Sequence, residues 1–161
     1  MKSCILFLAF CVLSFTVSAA PPVVYRDASG RLAGTATQNG NRVIYRDGHG
    51  HMTGSAVQQG GRVVYRDSSG RLVGSAVQSG ERTIYRDGQG RRTGTSMQQG
   101  SQIVFRDAAG RIQKRASEHG GRVYYRDGQG RYSGSAKVPA GVSPYRDAYG
   151  MSRGQGTGVG R

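Results

Sequence analysis

Acidic residues recur at a fixed interval along this chain, and carboxylates that converge in one pocket are a common device of acid–base catalysis. An aspartate follows an aromatic residue and an arginine in seven places: Asp27, Asp47, Asp67, Asp87, Asp107, Asp127 and Asp147. A glycine stands three positions after each aspartate, at Gly30, Gly50, Gly70, Gly90, Gly110, Gly130 and Gly150. Asp-x-x-Gly is typical of a tight turn in which the carboxylate accepts local backbone N–H groups. We therefore predict that these residues shape turns and are not catalytic.

Other residue types that could carry chemistry lack the partners that the chemistry needs. His49 and His51 could touch a metal, but two histidines without a third ligand are a weak signal, and His119 belongs to another repeat. Residues 128–130 read Gly-Gln-Gly but lack the helix and lysine of a phosphate loop. A row of hydroxyl residues has no histidine beside it: Thr35, Ser55, Ser75, Thr95 and Ser135. The sequence predicts no enzyme, no cofactor, no metal site and no small-molecule substrate.

Arginine is the residue type whose pattern favours binding. One row follows the aromatic residues at Arg26, Arg46, Arg66, Arg86, Arg106 and Arg126, and a second lies at Arg42, Arg62, Arg82 and Arg122. Guanidinium groups in rows raise the local anion concentration and suit phosphate or sulfate through bidentate contacts. The alternative is that they solvate the strands and offset the turn aspartates. One aspartate in a repeat cannot neutralise up to three arginines, so both interpretations stay open.

The start of the chain differs from the rest. Lys2 precedes an apolar run over residues 5–17, and residues 17–19 read Val-Ser-Ala, a small-x-small cleavage site. A membrane anchor is the alternative, but a spanning helix needs ~20 apolar residues. We therefore predict that residues 1–19 are a signal peptide and that the protein is exported to the periplasm or the extracellular space.

The composition limits what can hold the exported part together. Both cysteines, Cys4 and Cys11, lie inside the predicted signal peptide, so the mature chain has no thiol for a disulfide. The chain has 27 glycines and 23 lysines and arginines against 9 acidic residues, a formal charge of +14 at pH 7. Low hydrophobicity with high charge can indicate disorder. Here the apolar residues fall at fixed positions, which favours a folded repeat.

Short strands are the elements that must position these residues. Units of 20 residues start at Tyr25, Tyr45, Tyr65, Tyr85, Phe105, Tyr125 and Tyr145. In residues 62–82 a segment rich in β-branched residues leads into the Asp-x-x-Gly turn, and a second segment returns to another glycine-containing turn. We predict an all-β domain over residues 20–150 and a Gly-rich tail over residues 151–161. Its fold is an antiparallel meander of hairpin repeats, closed into a shallow barrel or flower of about 12 strands.

The strand register follows if both turns are three-residue loops with a bulge at glycine. Asp67 then pairs with Arg71, and Ser75 faces Val63 on one side and Thr83 on the other. Strands paired in this way carry no net stagger, and twelve of them would form an open sheet or a ring of roughly 9 Å radius.

The same register divides the side chains between two faces. One face carries Tyr65, Val63 and Ser75, and the other carries Val64, Leu72, Gly74 and Ala76, flanked by Arg62 and Arg66. We favour the tyrosine face as the interior, because so wide a ring needs bulky side chains to fill it and arginines belong in water.

Residues 25–36, Tyr-Arg-Asp-Ala-Ser-Gly-Arg-Leu-Ala-Gly-Thr-Ala, resemble the repeat of the bacterial β-flower proteins. The resemblance covers residues 23 to about 150 and rests on the Asp-x-x-Gly-Arg turn and the following Gly-x-Ala. It implies secreted or lipid-anchored hairpins closed into a shallow flower, related in shape to the tubby C-terminal domain. The best-known β-flower form has five petals, whereas this chain offers six or seven repeats. The turn also resembles the YD repeat of Rhs-type shells and, more loosely, the MORN hairpin. Because β-flower proteins have no established biochemical activity, the resemblance implies a fold and not a function.

These observations favour a non-enzymatic exported module. Its partner would be an anionic envelope surface, such as lipid headgroups, lipopolysaccharide or another polyanion, met through the arginine rows. The alternative is a structural or protein-binding module without a ligand that pairs through its terminal strands. Nucleic acid is a third candidate, because arginine interleaved with tyrosine suits stacking, but an exported chain seldom meets it.

Overall fold

The computed structural model describes residues 21–79 and 82–139, which form twelve strands. In chain order they are β1 (Val23–Arg26), β2 (Leu32–Asn39), β3 (Arg42–Asp47), β4 (Met52–Gln59), β5 (Arg62–Asp67), β6 (Leu72–Ser79), β7 (Arg82–Asp87), β8 (Arg92–Gln99), β9 (Gln102–Asp107), β10 (Ile112–His119), β11 (Arg122–Asp127) and β12 (Tyr132–Lys137). The predicted signal peptide (1–19), the seventh unit at Tyr145 and the predicted tail (151–161) lie outside the described residues.

Every strand pairs antiparallel with its neighbours in the chain, and β1 pairs with β12, so that the sheet closes into a barrel. The prediction of an all-β meander of hairpins, closed and about twelve-stranded, is confirmed. At the seam, Arg26 lies opposite Ser135. This pairing repeats that of Arg46 with Thr35 and Arg66 with Ser55, so the first strand continues the register of the sixth unit.

The predicted register is right at the first turn and wrong beyond it. Asp67 N donates to Arg71 O at 3.0 Å, as expected for that loop. The register then shifts between Tyr65 and Arg66, because Arg66 lies opposite Leu72 while Tyr65 lies opposite Gly74. Val73, between Leu72 and Gly74, is the extra residue of a β-bulge, and it moves every later residue of β6 by one place. Ser75 consequently faces Val64, not Val63.

The second turn is shorter than predicted. Gln59 lies opposite Arg62, which leaves a loop of two residues. Gly60 takes a φ of 57° at the first loop position, as glycine does in a type II′ hairpin turn. The equivalent pairing of Ser79 with Arg82 places Ser75 opposite Arg86, not Thr83.

The two changes together leave a net stagger, so the prediction of unstaggered strands is wrong. Ser75 lies opposite Val64 on one side and Arg86 on the other, positions 22 apart in a chain that repeats every 20. Each hairpin therefore advances by two residues, and six hairpins give a shear of about 12. That shear tilts the strands by about 35° and widens the barrel to a radius of roughly 11 Å.

The interior is the tyrosine face, as predicted. Its buried cluster contains Val23, Tyr25, Ala36, Val43, Ala56, Tyr65, Ala76, Tyr85, Ile103, Phe105, Ala116, Val123, Tyr125, Ala136 and Val138. Gly74 and Ala76 belong to the interior and Ser75 to the outer wall, opposite to the predicted assignment, because a one-residue shift exchanges the faces of a strand.

A glycine lies opposite the core tyrosine in five of the six units: Tyr25 and Gly34, Tyr45 and Gly54, Tyr65 and Gly74, Tyr85 and Gly94, Tyr125 and Gly134. A Cβ atom built at Gly54 would lie 2.5 Å from the carbonyl oxygen of Arg66 on the next strand. Glycine at this position therefore permits the close approach of two backbones.

Candidate functional site

The turn aspartates are occupied by their own loops. Oδ1 of Asp67 accepts the backbone N–H groups of Ser69 and Arg71, each at 2.9 Å. Gly70 has a φ of 82° and donates its N–H to the carbonyl of Asp67. The six described Asp-x-x-Gly loops (27–31, 47–51, 67–71, 87–91, 107–111 and 127–131) stand around one end of the barrel, which we call the Asp-turn rim. The structure therefore spaces the carboxylates around a ring and does not bring them into one pocket.

The same contacts favour the ionised carboxylates. The pKa lies below the ordinary value of 3.8 at Asp27, Asp47, Asp87, Asp107 and Asp127. At Asp87 the main cause is the hydrogen bond from the Arg91 side chain, and the backbone N–H groups of Arg91 and Gln89 add to it. Arg91 Nε lies 2.9 Å from Asp87 Oδ2, and both groups reach solvent.

Acid is therefore expected to weaken the barrel. A carboxyl whose pKa is lower in the folded state stabilises the fold above its unfolded pKa, and this contribution is lost as the pH falls through the folded pKa. We expect the free energy of unfolding to be constant near neutral pH and to fall below about pH 4. Urea unfolding followed by circular dichroism over a pH series measures this. The Asp87→Asn variant should show a shallower decline, and a stability that rises on acidification would contradict the assignment.

The first arginine row lies on the Asp-turn rim. Each arginine donates Nη1 to the carbonyl of the turn glycine four positions on: Arg26 to Gly30, Arg46 to Gly50, Arg66 to Gly70, Arg86 to Gly90, Arg106 to Gly110 and Arg126 to Gly130. These distances run from 2.8 Å for Arg66 to 3.0 Å for Arg126. A guanidinium has five N–H donors. The contact with the glycine carbonyl therefore fixes the direction of the group and leaves other N–H donors that can bind an anion.

The second row lies on the outer wall, nearer the opposite end. Arg42, Arg62 and Arg122 donate to the hydroxyls of Ser55, Ser75 and Ser135 at 3.3, 2.9 and 3.4 Å. Arg82 stands at the equivalent position on β7, opposite Met97. Four residues of strand, about 13 Å, separate the two rows along one strand. The Arg62 side chain nevertheless reaches Ser75, which lies directly opposite Arg86 of the first row on the next strand.

Sequence reasoning missed a third group of arginines. The residue after the turn glycine is Arg31, Arg71, Arg91, Arg111 or Arg131, and all five are exposed on the Asp-turn rim, where His51 takes this place in the second unit. Arg92, one position later in its unit, donates Nη2 to Ala108 O at 2.8 Å on the same rim. The Gly-Arg pairs were visible in the sequence, and each turn by itself sets its arginine across the loop from an arginine of the first row. The rim carries about twice as many arginines as aspartates.

The fifth unit places a lysine where the others have the core glycine. Lys114 Nζ lies 5.5 Å from the centre of the Tyr125 ring, within reach of a cation–π contact. Burial lowers the pKa of Lys114, because an apolar environment disfavours the charged form. The break at Lys114 and Arg115 was visible in the sequence, but its direction into the barrel was not.

The histidine pair is a local contact. His51 Nδ1 lies 3.3 Å from Asp47 Oδ2, and the rings of His49 and His51 stack at 6.2 Å. Within residues 21–79 and 82–139, no group of three or more His, Cys, Asp or Glu residues could hold a metal ion. In the same part of the chain, no helix has the length and apolar character needed to cross a membrane.

Comparison with known proteins adds a similarity of fold. No protein-family model and no curated protein matches the chain. A solved protein of Arabidopsis thaliana is similar with a TM-score of 0.54 and 11% identity, covering 88% of this chain and 94% of that one. BamB of Moraxella catarrhalis matches with 9% identity over 76% of this chain and 60% of that one, and its TM-score of 0.28 does not indicate a shared fold. The first similarity concerns the fold alone.

Proposed function

We propose that this protein is an exported, non-enzymatic module that binds an anionic envelope surface through the arginines of the Asp-turn rim. The observation that carries the proposal is the excess of exposed arginines over aspartates at one end of the barrel. Hydrogen bonds to the carbonyls of the turn glycines hold the guanidinium groups of the first row at the rim, so that their charges lie together at this end of the barrel. An ordered ring of guanidinium groups suits phosphate-bearing surfaces better than the same charges scattered over a sphere.

The finer classification belongs to the same proposal. The Asp-x-x-Gly-Arg turn and the Gly-x-Ala that follows it support a relationship to the bacterial β-flower proteins, here with six described hairpins. The YD repeat of Rhs-type shells is the second candidate, supported by the turn alone. Neither assignment adds an activity.

Vesicle binding tests the proposed function. At low salt, the protein without residues 1–19 should co-sediment at least about tenfold better with vesicles containing phosphatidylglycerol than with phosphatidylcholine vesicles. High salt should abolish the difference, because exposed charges are screened over a few ångströms. Equally weak sedimentation with both vesicles would contradict the proposal. Oligomers that persist at high salt would instead favour the structural, protein-binding alternative.

Matched arginine variants locate the binding. Arg66→Gln with Arg86→Gln removes two charges from the rim, and Arg62→Gln with Arg82→Gln removes two from the outer wall. At about 1 kcal/mol per arginine near an anionic surface, the rim pair should weaken binding roughly tenfold or more. The wall pair should have the smaller effect. Circular dichroism of both variants confirms that the barrel is retained before binding is compared.

A further inference from the structure

The Asp-turn rim also exposes apolar side chains. Among the described residues, the exposed large hydrophobic ones are Leu32, Leu72, Tyr124 and Tyr132, with exposures of 46%, 42%, 38% and 42%. Three of these four occupy the same place in their units, the first position of the strand that leaves the Asp-x-x-Gly turn. The fourth, Tyr124, lies on the outer wall opposite Ser135. Exposed apolar area is therefore concentrated at the end of the barrel that carries most of the arginine.

Register places the three exposed apolar residues of the rim, Leu32, Leu72 and Tyr132, each opposite an arginine. The directly opposed pairs around the rim are Arg26 and Leu32, Arg46 and Met52, Arg66 and Leu72, Arg86 and Arg92, Arg106 and Ile112, and Arg126 and Tyr132. Five of the six pairs thus join an arginine to an apolar side chain. Paired residues in antiparallel strands point to the same face, here the outer one.

This combination distinguishes between partners. A soluble polyanion would engage the arginines and leave the apolar side chains in water. A second copy of this chain, meeting rim to rim, would bring two arginine rings together and be repelled. An anionic bilayer offers phosphates to the arginines and, just below them, acyl chains to the apolar residues.

We propose that the Asp-turn rim docks on an anionic lipid bilayer, with its arginines contacting the phosphates and with Leu32, Leu72 and Tyr132, which lie level with the first arginine row, at the boundary between headgroups and acyl chains. This inference rests on the proposed function for its charge and adds the partner and the orientation. β1 begins and β12 ends at the opposite end of the barrel, so both ends of the described chain lead away from the bilayer.

Serine substitution tests the apolar contribution. Leu32→Ser with Leu72→Ser leaves every arginine in place and should weaken binding to phosphatidylglycerol vesicles about tenfold, since each leucine loses part of its transfer energy. Tyr124→Ser removes a comparably exposed side chain from the outer wall and should bind as the unchanged protein does. Because the substituted side chains are exposed, circular dichroism should show the same fold in all three proteins.

A fluorescent residue tests the orientation independently. The chain has no tryptophan, so Leu72→Trp and Tyr124→Trp each create a single reporter. On phosphatidylglycerol vesicles, the emission of the first should shift to the blue and be quenched by lipids with brominated acyl chains. The emission of the second should do neither.

The two proposals fail in different ways. If phosphatidylglycerol vesicles bind the protein but the serine pair binds equally well and the reporter at position 72 stays in water, the bilayer docking is wrong and the charge-driven function stands. If no vesicle binds, both are wrong.

Discussion

Replacing Tyr25 by alanine is expected to destabilise the barrel by about 3–5 kcal/mol, the range for large aromatic core residues. Tyr25 is 2% exposed and lies in β1, the strand that closes the ring. Its two opposed neighbours, Gly34 and Ala136, are too small to fill the space that the ring would leave. The shift in the urea midpoint, followed by far-ultraviolet circular dichroism, measures the loss.

Two further variants separate the aromatic ring from its hydroxyl. Tyr25 Oη is buried without a hydrogen-bond partner, so Tyr25→Phe should keep the stability of the parent or raise it slightly. Phe105 already occupies the equivalent place in the fifth unit. Tyr124→Ala, on the outer wall, should cost less than about 1 kcal/mol. A loss at Tyr25→Phe as large as at Tyr25→Ala would show that the hydroxyl, and not the packing of the ring, is what matters.

The second large effect is expected at Gly54, where alanine should destabilise the barrel by about 2–3 kcal/mol. The added Cβ would lie 2.5 Å from the carbonyl oxygen of Arg66, a backbone atom that cannot rotate away. The two strands would have to separate at the core, beside Tyr45. Thermal unfolding of the variant and the parent measures the difference.

Gly61→Ala is the matched control. Nothing lies within 4 Å of the Cβ position at Gly61, so the substitution should leave the stability nearly unchanged. Lys114 shows that the equivalent position in the fifth unit can carry a side chain, so the strands around Gly54 can yield in part. Equal effects at Gly54 and Gly61 would contradict the close-approach argument.

The recurrent turn was predictable because its chemistry is local. Asp67 and Gly70 specify the loop between two strands through contacts that span five residues. The period of the aromatic residues then fixed the number of hairpins, and the bulk of tyrosine favoured the interior face. These predictions needed no knowledge of which strands are neighbours at the ends of the sheet.

The register was not predictable to the same degree, because two details below the level of the repeat decide it. The glycine of the second turn is compatible with a loop of either two or three residues, and the sequence does not distinguish them. The second detail is the bulge at Val73, the residue before Gly74, which inserts one extra residue into β6. The bulge shifts the partner of Ser75 by one place and the second turn shifts its other partner by three, from Thr83 to Arg86. Both shifts are odd, which exchanges the two faces and accounts for the misplacement of Ser75 and Ala76.

The candidate site shows the same division. The arginines of the first row were identified from their spacing, and an antiparallel meander by itself places every Asp-x-x-Gly turn, with its arginines, at one edge of the sheet. Arg62 begins β5 and so lies toward the other end, whereas its contact with Ser75 depends on the register and was not predictable.

The seam between β1 and β12 has a consequence for how the chain matures. It joins Val24 to Lys137, so the ring can be completed only after the sixth hairpin has left the ribosome. Until then the nascent sheet has two open margins and a lining of tyrosines facing water, the condition in which β-rich chains associate wrongly. Repulsion among the many arginines keeps neighbouring unfinished chains apart during that interval.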